Sequence, residues 1–321
     1  MTANDLRLKA ARTGNAATLD ASEAPSLSSV VESMERQQRR SRWQWIGTLS
    51  ALHWVLLGVL AAFIVCAMFA EFIAPYDPVA NDLRARLTPP AFMAGGSTDH
   101  LLGTDQLGRD MLSRIIFGAR VSLAIAVIGT LAGAAFGAFC GLVAGFRRGG
   151  VDGAMMLVVD TFMALPFIVI ALAVIAVVGT GFGVMVLLAA LSGFAGYTRI
   201  ARGLALQLSN EQYVLAAKSV GASWNRLLIR HLLPNMTAPL IVLATMEMAS
   251  IILLEASLSY LGFGIQPPTP AWGLMVSDGR DYLNDSWWVG VPPGIAIVIV
   301  AICISLLGDW LRDLLDPTTK H

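Results

Sequence analysis

Charge is what this sequence has least of. Only 14% of its 321 residues are Asp, Glu, Lys or Arg, whereas a soluble domain carries about a quarter. Such a chain cannot cover itself in water, which excludes a simple soluble enzyme, and its 56% apolar content excludes a disordered scaffold. Neither sign of charge is in excess, with 22 basic and 22 acidic side chains, so nucleic acid is not an expected partner. Cysteine is rare: Cys66, Cys140 and Cys303 each lie inside an apolar run, without a CxxC pair, which argues against disulfide and zinc frameworks. The histidines, His53, His100, His231 and His321, are scattered and show no HxxxH spacing, so no metal site is expected. There is no GxxxxGK[ST] run to hold ATP, and no GxSxG or HExxH motif to support an enzyme. No early apolar stretch with a cleavage site marks a secretory signal.

What the sequence does have is long hydrophobic runs. A membrane helix needs about 20 mostly apolar residues. Six segments qualify, at about 52–74, 120–145, 154–178, 182–200, 236–261 and 289–310. The expected fold class is therefore an all-α membrane protein with six transmembrane helices. It divides into an N-terminal segment (1–50), a first span (51–75), an outer loop (76–119), a core (120–310) and a short tail (311–321). Residues 1–28 read as disordered, and Val30–Trp45, with Arg36, Arg39, Arg40 and Arg42, as a helix on a membrane surface. The tight Thr180–Gly183 connection predicts a hairpin of spans three and four. In span two, Gly129, Gly133, Gly137 and Gly141 repeat every fourth residue and predict close packing against another helix, with a mobile seam as the other reading.

Lys and Arg set the orientation. With the N-terminus in the cytoplasm, 16 of them fall on that side and six outside, so both termini are expected to be cytoplasmic. Trp43, Trp45 and Trp54 before or within the first span, and Trp287, Trp288 and Trp310 around the last, read as headgroup-level anchors.

The segment Glu211–Asn235, between spans four and five, reads as two short helices broken at Gly221, a residue suited to the left-handed position that ends a helix. Ser223 is placed to cap the second helix and Pro234 to stop it. Trp224, Leu227, Leu228, His231 and Leu232 then share one face, which from periodicity alone suits a protein groove or a membrane surface equally. Within the spans, Asp160, Glu247 and Glu255 are costly carboxylates that face either a water-lined path or a neighbouring helix. Glu247, Ser250, Glu255 and Ser257 fall on one broad arc of the helical wheel.

Four stretches carry a resemblance. Tyr213, Ala216-Ala217, Gly221, Ser223, His231 and Leu233-Pro234 resemble the spaced "EAA" loop of permease subunits of bacterial ABC importers. Leu215 stands where that pattern has Glu and His231 where it has Ile, as in the variant "YVxAAxxxGAS…RHxLPN" of peptide and nickel importers. His100–Asp110 resembles "HxLGTDxxGRD", Glu255–Gly273 resembles "EASLSFLGxGxQPPxPxWG", and Leu307–Pro317 resembles "LGDxLRDxLDP". The likeness covers about residues 50–317 and is greatest to the "C"-type permease of dipeptide and oligopeptide importers. It implies a type I ABC importer permease fold in the inner membrane. It also implies a paralogous permease, two ATPase subunits docked on the 211–235 loop, a solute-binding protein, and a peptide cargo. This chain would need no cofactor, since ATP and Mg would bind the ATPase subunits. The coupling residues so implied are Tyr213, Ala216, Ala217, Gly221, Ser223, Trp224, Leu227, Leu228, His231 and Pro234. Asp160, Glu247, Ser250 and Glu255 are candidates for the path. The alternative, an ion-coupled secondary transporter, would carry its own ion site and often an inverted repeat, and no repeat relates 52–178 to 182–310.

Overall fold

A computed structural model describes residues 50–315, apart from the side chains of Trp224 and Asn225. The expectations for 1–28, for Val30–Trp45 and for the end of the tail lie outside the described residues.

Helix α1 (Ala51–Met68) is followed by a single turn, α2 (Ala70–Ile73). A loop then leads to α3 (Met111–Arg147), α4 (Gly149–Ala164), α5 (Phe167–Val178) and α6 (Phe182–Leu208). Two short helices, α7 (Gln212–Ser219) and α8 (Trp224–Leu227), precede a π-helical turn over Leu228–Leu232. The chain closes with α9 (Leu233–Tyr260), α10 (Trp272–Gly279) and α11 (Val291–Leu315). Five stretches are long and apolar enough to cross a membrane, and α4 with α5 makes a sixth if the pair, bent by 96°, counts as one. The bend falls at Leu165-Pro166, where proline forces the preceding residue out of the helical region: Leu165 takes ψ 138°.

Three boundaries differ from those the apolar runs suggested. Span two begins at Met111 rather than at 120, because Asp110 caps it and the charges of its first turns are paired in the loop. Its 37 residues reach roughly 55 Å at the helical rise, well beyond a hydrocarbon core of about 30 Å. Span four is not short, since α6 continues to Leu208, and α11 runs past 310 to Leu315.

Helices α3 and α6 form the tightest pair. A methyl group on Gly133 would stand 2.7 Å from the Ala190 carbonyl oxygen, and one on Gly137 2.8 Å from that of Phe194. Gly129 and Gly141 meet Ala189 and Thr198 in the same way, and Gly145, which the sequence reading missed, adds a fifth contact at the Arg202 carbonyl oxygen, 2.7 Å away. The glycine repeat is thus a packing seam. The main core lies where α3, α9, α10 and α11 meet, and a second cluster around Leu142, Tyr197, Leu232 and Met236 fills the other end.

The loop before α3 is built on the His100–Asp110 stretch. Asp105 accepts from the Arg109 Nε at 2.6 Å and pairs with Arg114 at 3.2 Å, while Asp278 of α10 faces Arg114 at 3.7 Å and Arg109 at 3.9 Å. Asp110 accepts from the Ser113 N–H at 2.8 Å and from His100 Nδ1 at 2.9 Å. Trp288 is not a headgroup anchor: it is 3% exposed, and its indole N–H donates to the Thr104 carbonyl at 3.1 Å. Loop, α3 and α10 are thereby joined at one end of the bundle.

Candidate functional site

At the opposite end of α6, α7 closes in a turn with two defining bonds. The Ala222 N–H donates to the Ala217 carbonyl at 3.0 Å, and the Gly221 N–H to the Lys218 carbonyl at 3.0 Å. These satisfy carbonyls that the helix end would leave bare, and they require a left-handed residue, here Gly221 at φ +77°. Ser223 then starts α8, its carbonyl accepting from the Leu227 N–H at 3.1 Å. Tyr213 of α7 lies with its ring 6.2 Å from that of His231. Asn235 donates to the Tyr213 hydroxyl at 3.4 Å and to the His231 carbonyl at 2.6 Å, tying α7 to the π turn.

Two expectations about this element are corrected. Pro234 does not stop the second helix. It sits in the first turn of α9, and the chain stays helical from Trp224 through Tyr260 because the π turn changes the bonding register, with the Leu233 N–H reaching the Leu228 carbonyl. A proline is tolerated there because its missing N–H falls where the ladder is already displaced. Nor do Leu227 and Leu228 form an uncovered face. They are 3% and 9% exposed, packed with Val214, Leu232 and Met236 inside the chain's own core. Continuity with α9 fixes their rotation inward. The apolar side chains left outside among the described residues of this element include Val220, at 85% exposure, and Ile229, at 68%, with Leu215, Tyr213 and Leu233 less exposed. Ala216 is exposed and Ala217 partly buried. Arg226 and Arg230 add positive charge to this surface. The sequence did signal Val220, an apolar residue on the tip of a turn, but amphipathic periodicity cannot tell an inner face from an outer one.

The candidate path residues separate. Asp160 pairs with Arg199 at 2.7 Å, joining α4 to α6. A second rung, missed in the sequence, is the two-pronged pair of Asp152 with Arg202, whose Nη2 donates at 2.7 Å. Glu255 is buried, accepting from the Ser122 hydroxyl at 3.1 Å and the Ser259 hydroxyl at 2.8 Å. Ser250 and Ser257 are exposed and hydrogen-bond only back along α9, to the Met246 and Leu253 carbonyls. Glu247 is partly buried at the middle of α9, against α6. The broad arc of the helical wheel therefore spans both a packed face and an open one.

Comparison with known proteins follows the same outline. Residues 133–321 match the family described as binding-protein-dependent transport system inner membrane component, and residues 52–90 match the N-terminal TM domain of oligopeptide transport permease C. The chain is 42% identical over 275 residues to the di/tripeptide transport system permease protein DppC of Pseudomonas aeruginosa, covering 86% of this chain and 89% of that one. It is 42% identical over 263 residues to the dipeptide transport system permease protein DppC of Escherichia coli K12, covering 82% and 87%. In three dimensions it resembles a chain of the inward-facing MetNI methionine ABC transporter, with a TM-score of 0.52 at 18% identity, covering 64% of this chain and 98% of that one. The similarity is thus to multi-pass transport components rather than enzymes, and the chain belongs to the binding-protein-dependent transport system inner membrane component family, as a permease of the oligopeptide C type.

Proposed function

We propose that this chain forms half of the translocation path of a peptide importer of the ABC class, with di- or oligopeptides as cargo. The observation that carries this reading is the 37–42% identity, over more than four-fifths of both chains, to relatives named as dipeptide or di/tripeptide permeases. A paralogous permease completes the path, a solute-binding protein delivers cargo at the end holding the Asp105–Asp278 network, and two ATPase subunits, which carry ATP and Mg, dock at the α7–α8 end. Lipid surrounds the spans of the bacterial inner membrane, and both termini are cytoplasmic, as the distribution of 16 and six basic residues favours. Docking on α7–α8 draws support from the exposure of Val220 and Ile229 and of the basic Arg226 and Arg230 in this element. Apolar area with a basic rim suits a protein groove.

The test is uptake of a labelled dipeptide by proteoliposomes holding this chain with its partner permease, ATPases and binding protein. ATP-dependent accumulation is the expected result, and its absence with the complex intact defeats the proposal. Orientation is tested separately. Single cysteines at Ser97 and Ser223, in a background lacking Cys66, Cys140 and Cys303, should label from opposite sides with an impermeant thiol reagent, Ser97 from outside.

A further inference from the structure

Glu247 has an unusual position. Both of its carboxylate oxygens lie over α6 at two residues that lack side chains: a methyl group on Gly193 would stand 3.7 Å from Oε2, and one on Gly196 3.8 Å from Oε1. The same methyl on Gly193 would stand 2.8 Å from Cε2 of Tyr197, so the phenol ring packs over Gly193 beside the carboxylate, and the space over Gly196 is left to Oε1 alone. Tyr197 is fully buried, yet its hydroxyl has no hydrogen-bond partner among the described residues. Among those residues, no donor and no basic side chain reaches the Glu247 carboxylate. The neighbouring cations of α6 are already committed to α4, Arg199 to Asp160 at 2.7 Å and Arg202 to Asp152.

A carboxylate at that depth is retained where it meets a cation, a proton or a partner. Here the resident cations are occupied, an idle hydroxyl lies nearby, and Gly196 leaves the space beneath Oε1 free of a side chain. We infer that Glu247, with Tyr197 and the gap over Gly196, is a subsite for the primary ammonium group of the cargo. The inference rests on the proposed peptide function, since a peptide brings an α-amino group. An ammonium has three donors and no acceptor, which fits an ionised carboxylate and a phenol oxygen. Tyr197 is buried but Glu247 and Gly196 are partly exposed, so the carboxylate side of the site holds the group briefly and releases it, as conduction through a path requires.

The experiment uses the assembled complex, without nucleotide, and a membrane-permeant carbodiimide, with modification of Glu247 followed by mass spectrometry. Exposed Asp160 serves as an internal reference for the reagent. Dialanine should slow modification of Glu247 several-fold and leave Asp160 unchanged, while N-acetyl-dialanine should protect neither. Equal protection by both peptides, protection by neither, or no modification of Glu247 at all overturns the subsite, the last by placing the carboxylate against the partner permease. Import of labelled dialanine by the same preparation is measured in parallel. Absence of import defeats the peptide reading itself, whereas import with Glu247 unprotected defeats only the subsite.

Discussion

The Ser122 hydroxyl donates to the Glu255 carboxylate at 3.1 Å and so joins α3 to α9 inside the main core. Glu255 also accepts from Ser259, one turn on, so within this chain the acid pins α3 to α9. Replacing Glu255 with Ala takes the acceptor from two buried hydroxyl donors, each loss costing about 1–3 kcal/mol. Glu255→Ala should lower the melting temperature of the detergent-solubilised complex clearly, and Glu255→Gln, which keeps an acceptor, much less. Normal melting of Glu255→Ala together with lost transport would return the residue to the path.

Gly221 holds φ +77° with open space around its Cα, so a substitution there strains the backbone without a clash. A left-handed conformation costs an ordinary residue about 1–2 kcal/mol and a β-branched one more, while Asn tolerates it. Gly221→Val should therefore uncouple substrate-stimulated ATP hydrolysis, and Gly221→Asn should retain most of it. ATPase assays on reconstituted complexes, with subunit stoichiometry checked, distinguish the two.

The inward turn of Leu228 and the outward one of Val220 give opposite phenotypes. Leu228→Ala opens a cavity in the chain's own core, where such losses run about 2–5 kcal/mol for a buried leucine, and should lower permease yield and melting temperature. Val220→Asp and Ile229→Asp alter side chains that are mostly exposed. They should leave the permease folded and abolish pull-down of the ATPase subunits. Retained pull-down in both would move the docking surface elsewhere.

In the network before α3, Asp105 and Asp278 should differ sharply. Asp105 is 2% exposed and neutralises Arg109 and Arg114 at close range, whereas Asp278 is 25% exposed and stands 3.7–3.9 Å from them. Burial pushes the Asp278 carboxyl above the ordinary range, only partly offset by Arg114 and Arg109. Removing one partner of a buried ion pair costs about 3–5 kcal/mol, so Asp105→Asn should impair folding of the loop, while Asp278→Asn should cost far less. Protease sensitivity of the 76–110 loop in sealed vesicles reads out both variants.

The amino-acid sequence by itself determined whatever depends on neighbours along the chain. Apolar run length marked the spans, the Ala217–Ala222 turn followed from a glycine able to adopt positive φ, and the every-fourth glycine repeat marked a helix seam. The bend at Pro166 was legible only as a proline within a span, because its angle depends on what α4 and α5 pack against. Tertiary structure alone decided which way equivalent side chains face. Leu227 and Leu228 turn inward because the π turn fuses α8 to α9 and so sets their rotation, and Val220 is left outside. Glu247 and Glu255 lie two turns apart on one helix, yet one is locked between serines and the other borders a glycine-lined gap. Asp105, Arg114 and Asp278 are separated by up to 173 positions and meet only because α10 folds back on the start of α3. Period and composition describe one helix at a time, whereas charge pairing and burial belong to the contacts between helices.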